Sequence, residues 1–302
     1  MAYQTLDVRV PGGSLRVGQW GNGPAVIVAA HGASATHLHF EALADQLGEE
    51  VTVLAPDLRG RGRSSAVGGP YGIARHADDL IAVMDHAGIT ETLAVGHSLG
   101  AFVAVAAAVR HPGRVRDLVL VDGGLPLAER PSAPDVPAAE ALRAVGGPAA
   151  QRLGMTFPSQ QAYLDFWRQH PALTADWNDY IEHAYGYDLA GSPPELASSV
   201  REEVVLGDIA ELRDGHGVER ALGQLTCPAV LVRAPVFIDP QQPPMYSDTA
   251  VAAGRQLAPQ LGDVLVPGVN HYTIVLTSRG AGAVADVIRG RLRARDAGDA
   301  LG

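Results

Sequence analysis

Apolar residues fill the first 120 positions in short continuous runs, separated by stretches with helical spacing. Ala25–Ala30, Val51–Ala55, Thr92–Val95 and Val115–Val121 have few polar interruptions, as a strand buried on both faces requires. Between them, Tyr71–His86 carries Ile73, Ala77, Leu80, Ile81 and Met84 on one side of a helix, and Ala101–His111 is an alanine-rich helix. Leu6–Val10 and Leu15–Gln19 flank Pro11-Gly12-Gly13 and read as a hairpin. Strands alternating with helices predict an α/β fold with a mostly parallel sheet flanked by helices.

From Leu125 to Leu222 this rhythm stops. Short helical segments, prolines and a concentration of aromatics (Phe157, Tyr163, Phe166, Trp167, Trp177, Tyr180, Tyr185, Tyr187) take its place. The pattern predicts a helical cap over 125–222, inserted into a core made of 1–124 and 223–302. Strand character returns at Ala229–Ala234 and Val264–Pro267, and a helix from Ser278 to Arg293 closes the core. The residues after Arg293 are polar and rich in Gly and Ala, and are expected to fray. No internal repeat is visible.

Charge narrows the partners. The net charge of −10 argues against nucleic acid, whose phosphates need a basic face. All 23 basic residues are arginine, a composition typical of a GC-rich bacterial genome and without chemical consequence. Cys227 is the only cysteine, so no internal disulfide can form. Met1–Pro11 lacks the basic and apolar regions of a signal peptide, and the apolar run Ala101–Val109 is too short to span a bilayer. A cytoplasmic location without membrane attachment is expected.

The strongest chemical signal is Gly96-His97-Ser98-Leu99-Gly100, a G-x-S-x-G between a strand and a helix. In such an elbow a side chain at either glycine would clash, and the turn lifts the serine Oγ above the sheet edge. Leu99 then has its N–H at a helix N-terminus, where it can hold an oxyanion. Ser98 is the expected nucleophile.

Two further segments extend the pattern. His31-Gly32-Ala33-Ser34 follows the strand Ala25–Ala30, and Pro56-Asp57-Leu58-Arg59-Gly60-Arg61-Gly62-Arg63-Ser64 follows Val51–Ala55. With these the chain resembles the α/β-hydrolase superfamily over nearly its whole length, in particular capped serine hydrolases such as lactonases, esterases and carbon–carbon bond hydrolases. The resemblance implies that Ala33 supplies the second oxyanion N–H, that His31 braces its loop, and that Asp57 and Arg59 shape a turn. It also implies a late histidine, because the triad order in this fold is serine, acid, histidine. His271, in Gly268-Val269-Asn270-His271-Tyr272, lies between the last strand and the final helix and is the expected general base. His97 is expected to project away from Ser98.

Two aspartates compete for the acid. Asp122 ends the strand Val115–Val121; Asp239 follows an irregular loop, Arg233-Ala234-Pro235-Val236-Phe237, where relatives carry R-G-x-x-D. Asp122 is favoured, with Asp239 as the alternative. A serine at the elbow excludes dehalogenase and epoxide hydrolase chemistry, which in this fold uses an aspartate there. No metal-ligand spacing, phosphate loop or dinucleotide fingerprint is present, so no cofactor is implied. The expected substrate is a small, uncharged, largely apolar ester or lactone, contacted by cap aromatics such as Trp167, Trp177 and Tyr187. Carbon–carbon cleavage of a β-diketone-like substrate by the same triad, or ligand binding on a retained hydrolase scaffold, are the rival readings.

Overall fold

A computed structural model describes residues 1–127, 147–213, 215–238 and 241–299. The chain opens with a hairpin, β1 (Tyr3–Val10) and β2 (Gly13–Trp20), in the antiparallel register expected around Pro11-Gly12. β3 (Ala25–Ala30), α1 (Glu41–Leu47), β4 (Val51–Pro56), α2 (Ile73–His86), β5 (Thr92–His97), α3 (Leu99–Arg110) and β6 (Val115–Val121) follow. The sheet is completed by β10 (Ala229–Arg233) and β11 (Leu261–Leu265), giving eight strands in the order β1-β2-β4-β3-β5-β6-β10-β11. β3, β4, β5, β6, β10 and β11 run parallel.

The continuous apolar runs are explained by burial on both faces. Ile27 and Ala29, Val53 and Ala55, Leu93 and Val95, and Val119 and Val121 point to one layer, shared with α1 and with Val284 and Ile288 of the last helix. Val28, Leu54, Ala94, Leu118 and Leu120 point to the other, against α2, α3 and Val251. Neither face of these strands is left to water, so period-two alternation in polarity disappears.

Between β6 and β10 the described residues form α4 (Pro148–Gln151), α5 (Gln160–Arg168), α6 (Asp179–Asp188), α7 (Glu202–Arg213) and α8 (His216–Gly223). A small antiparallel sheet, β7 (Thr156–Phe157), β9 (Leu196–Ser198) and β8 (Leu189–Ala190), lies among them. Sequence patterning anticipates the helices and misses this sheet, because strands of two or three residues carry no period. The core then runs through α9 (Asp248–Leu257), α10 (Thr273–Leu276) and α11 (Ser278–Asp299).

One expected strand is displaced. Val264–Pro267 was the apolar stretch, yet the pairing covers Leu261–Leu265, parallel to Ala229–Arg233. β11 is an edge strand, with Val264 and Leu265 37% and 47% exposed, so Gly262 and Asp263 are accommodated where a central strand would reject them. Among the described residues, no helix is long and apolar enough to cross a membrane.

Candidate active site

The parallel strands end on one edge, and the sheet order sets their termini side by side. β3 leads into His31, β5 into Ser98, β6 into Asp122 and β10 into Ala234. This carboxyl edge is where open α/β sheets assemble ligand sites.

Ser98 has φ 54° and ψ −119°, a left-handed conformation that a non-glycine residue adopts at a cost. The flanking glycines let the chain close this turn. A Cβ on Gly96 would lie 2.2 Å from the Gly100 carbonyl oxygen, and one on Gly100 would lie 1.8 Å from the Ala30 carbonyl oxygen. Gly123 is equally constrained, since its Cβ would meet the Ser98 carbonyl oxygen at 2.3 Å. The strand, the elbow and the turn after β6 therefore touch backbone to backbone.

Asp122 follows β6 with φ 43° and is fully buried. Its Oδ2 lies 2.7 Å from His271 Nδ1, and its Oδ1 accepts the Ala234 N–H at 3.3 Å. The His271 N–H donates to the Phe237 carbonyl at 2.9 Å, and Val236 bridges to Asn270. Phe237 occupies the position where the family resemblance anticipates an aspartate. Its ring packs 4.8 Å from that of His271. Asp239 lies outside the described residues.

The loop after β3 approaches from the other side: a Cβ on Gly32 would stand 3.4 Å from Ser98 Cβ. His31 Nδ1 donates to the Gly32 carbonyl at 2.8 Å, and Nε2 accepts the Leu58 N–H at 2.9 Å. Burial pushes this imidazole down to about 3, which suits a neutral ring with one donor and one acceptor nitrogen. The peptide whose oxygen His31 holds also carries the Ala33 N–H. Neither the Ala33 nor the Leu99 N–H has a hydrogen-bond partner among the described residues. Ser98 Oγ likewise makes no hydrogen bond there; in unliganded hydrolases the serine–histidine bond is often long.

Sequence reasoning missed what His97 does. Its Nε2 donates to the His271 carbonyl at 2.8 Å and its ring lies 4.8 Å from that of His271, while Nδ1 is buried without a partner among the described residues. Burial, then the neighbouring His271, holds it well below the usual histidine range. Only a three-dimensional pairing across 174 positions reveals this, so no local signal could have found it.

The motif after β4 is a hub of hydrogen bonds. Asp57 accepts from His37 N and Nδ1, from Arg63 N and from Tyr187 OH, at 2.7–2.9 Å. Burial alone would raise its carboxyl, but His37, through its ring and its backbone N–H, and then His31 bring it down to about 2. Arg59 grips Asp79 through two bonds of 2.6 and 2.7 Å.

The three cap aromatics have different surroundings. Trp167 is buried, stacked 3.8 Å from Tyr185 and adjacent to His170, whose ring meets Tyr272 at 5.0 Å. Trp177 donates to Glu182 at 3.2 Å beneath Arg168, and Tyr187 is held by Asp57 and Arg63. Only the Trp167 group continues, through Tyr272, to the ring of His271. Among the described residues, no group of three or more His, Cys, Asp and Glu could hold a metal ion.

A sheet of this order with a serine elbow, and a histidine–carboxylate pair on the same edge, defines a hydrolase scaffold. The profile described as the alpha/beta hydrolase fold matches residues 25–202, more than half of the chain, and the chain belongs to that family. It is similar to a 2-(acetamidomethylene)succinate hydrolase of Mesorhizobium japonicum, 29% identical over 260 residues, covering 86% of this chain and 85% of that protein. The crystal structure of E-2-(acetamidomethylene)succinate hydrolase superposes with a TM-score of 0.74 at 25% identity, over 95% of this chain and 100% of that one. The thioesterase domain from the curacin biosynthetic pathway gives a TM-score of 0.75 at 21% identity, over 95% and 99%, and speaks for the fold alone.

Proposed function

We propose that the protein is a serine hydrolase that cleaves a small carboxylic ester or lactone through an acyl-enzyme on Ser98. The observation that carries this is the left-handed elbow at Ser98, on the same sheet edge as the His271–Asp122 pair. His271 Nε2 takes the serine proton as Oγ attacks the carbonyl carbon. The Ala33 and Leu99 N–H groups, unpartnered among the described residues, receive the negative charge that develops on oxygen. Collapse expels the alkoxide leaving group, which takes the proton back from His271. Water then attacks the acyl-enzyme with His271 again as base. Asp122 fixes the histidine tautomer and offsets the charge of the imidazolium. The segment 125–222 acts as the cap that shapes the pocket.

A second reading, cleavage of an amide-bearing polar acid, has two supports. The relative similar over most of the chain is named for an acetamido-substituted succinate. In addition, Trp167 Nε1, His170 Nε2 and Tyr185 OH are buried polar atoms without partners among the described residues, in the ring cluster that reaches His271. Unpaired buried polar groups discriminate strongly for a ligand that can satisfy them.

The test is a panel of p-nitrophenyl esters, lactones, N-acyl enamine acids and β-diketones, run on the parent and on Ser98→Ala. Turnover of esters or lactones that vanishes in Ser98→Ala, with one fluorophosphonate adduct on Ser98 in the parent, is expected. A Ser98→Ala protein that still turns over its best substrate overturns the nucleophile assignment. Preference for the enamine acids selects the second reading.

A further inference from the structure

Three successive carbonyls of the loop after β3 are each held by a buried donor. Gly32 O accepts from His31 Nδ1 at 2.8 Å and from the Ala35 N–H at 3.2 Å. Ala33 O accepts from Arg61 Nε at 2.8 Å, and Ser34 O from Arg152 Nη2 at 2.6 Å. The first carbonyl is held locally. The other two are held by guanidinium groups that are themselves fully buried.

Each arginine is anchored on the far side by a carboxylate from the segment between β6 and β10. Arg61 Nη2 lies 2.6 Å from Asp208 on α7, and its Nη1 donates to the Arg59 carbonyl at 3.0 Å. Arg152 faces Asp188 at the end of α6, with 3.3 Å between Nη2 and Oδ2, and donates to Tyr163 OH at 3.0 Å. Asp208 also meets His76 Nε2 at 3.0 Å.

Stability does not explain this arrangement well. A buried ion pair roughly breaks even against apolar residues of the same volume, and here Asp208 Oδ1 and His76 Nδ1 remain without partners among the described residues. A neutral donor would satisfy a carbonyl at lower desolvation cost. What a planar, multiply anchored guanidinium does supply is a fixed direction. Holding Gly32 O sets the peptide plane that carries the Ala33 N–H, and holding Ala33 O sets the next plane. Ala33 is then left with little freedom in either backbone angle.

We propose that Arg61, anchored by Asp208, is a positioning residue that aims the Ala33 N–H at the developing oxyanion, with Arg152 and Asp188 fixing the following peptide. The segment after β6 thereby sets the geometry of the oxyanion hole as well as covering the sheet edge. This rests on Ala33 being an oxyanion donor and Ser98 the nucleophile.

The test compares the parent with Arg61→Met and Arg61→Lys, counting active sites by fluorophosphonate titration so that any unfolded fraction drops out. Arg61→Met leaves Asp208 with His76; Arg61→Lys keeps a charge for Asp208 but cannot span to Ala33 O as well. In whichever variant folds, kcat per titrated site should fall about 10- to 100-fold, with KM within about twofold. Affinity for a trifluoromethyl ketone, which presents a tetrahedral oxyanion, should fall by the same factor, while affinity for the product acid stays constant. A purely structural arginine would lower the melting temperature and the titrated fraction and leave both ratios unchanged, and that result overturns the proposal. Unchanged ratios with an adduct on Ser98 remove only the positioning role. Full activity in Ser98→Ala removes the reading beneath it.

Discussion

His97 Nε2 donates to the main-chain carbonyl of His271 at 2.8 Å, so the residue next to the proposed nucleophile holds the proposed base. His97 and His271, 174 positions apart in the chain, are joined by this hydrogen bond and by a ring contact. Asp122 holds the same histidine from its other side through Nδ1. His271 is therefore constrained at its backbone, by the tilted ring of Phe237 beside its own and at one ring nitrogen.

Removing the His97 donor should loosen His271 without touching substrate. His97→Phe keeps a ring of similar size and loses the hydrogen bond, worth about 0.5–1.5 kcal/mol net. A tenfold rate change corresponds to about 1.4 kcal/mol, so kcat should drop about three- to tenfold with KM little changed. Steady-state kinetics of His97→Phe and His97→Gln decide it, with Gln, which retains an N–H donor, expected to recover part of the loss. Equal kcat in the parent and His97→Phe would show that the bond has no part in rate.

The choice of acid is testable by paired substitutions. A carboxylate on Nδ1 fixes the tautomer, and its replacement by asparagine in a serine hydrolase costs about 10⁴-fold in kcat. Asp122 sits 2.7 Å from that nitrogen. Asp122→Asn should therefore nearly abolish turnover, and Asp239→Asn should cost less than about tenfold. A collapse confined to Asp239→Asn reverses the assignment.

The α/β sheet, the elbow and the late histidine were legible because each is written in local sequence: buried runs, a glycine-flanked serine, and a histidine between a strand and a helix. Phe237, His97 and the two arginines that hold the loop after β3 were not. Their roles depend on which strand ends become neighbours, and Arg61 and Asp208 meet across 147 positions. The motif containing Arg61 reads as a turn signature, which conceals that one of its side chains reaches back to Ala33. β11 was misplaced for a related reason, since an edge strand need not be apolar throughout.

Acid should unfold this protein early. Burial lowers His31 and His39 to about 3 and His170 to about 4, and holds His97 well below its usual range. Between pH 6.5 and these values the unfolded chain binds protons that the folded chain refuses. Stability is therefore fully present above pH 6.5 and declines as pH falls, by about 1.4 kcal/mol per pH unit for each histidine. Asp57, lowered to about 2, adds a loss in the same direction only below about pH 4. Calorimetry from pH 7.5 to 4.5 should show a melting temperature that drops steeply below 6.5, and less steeply in His39→Phe. A flat profile across that interval would contradict the neutral, buried state of these rings.

The cap aromatics separate into groups with different expected effects. Trp167 belongs to a stack that passes through His170 and Tyr272 to His271, and its Nε1 has no partner among the described residues. Trp177 and Tyr187 have their polar bonds satisfied by Glu182 and Asp57, within the protein's own framework. A side chain with an unsatisfied donor near the reacting centre can discriminate between substrates, whereas one whose donor is already bound contributes packing. Trp167→Phe keeps an aromatic ring and removes the N–H, so it should alter relative kcat/KM among esters, lactones and enamine acids by about fivefold or more. Tyr187→Phe strips a hydrogen bond from Asp57 and should lower the melting temperature while leaving that selectivity within about twofold. Trp177→Phe should behave like Tyr187→Phe. The selectivity ratios of the three variants on one substrate panel check this, and a change in Tyr187→Phe or Trp177→Phe that equals or exceeds the one in Trp167→Phe would locate the specificity surface elsewhere in the cap.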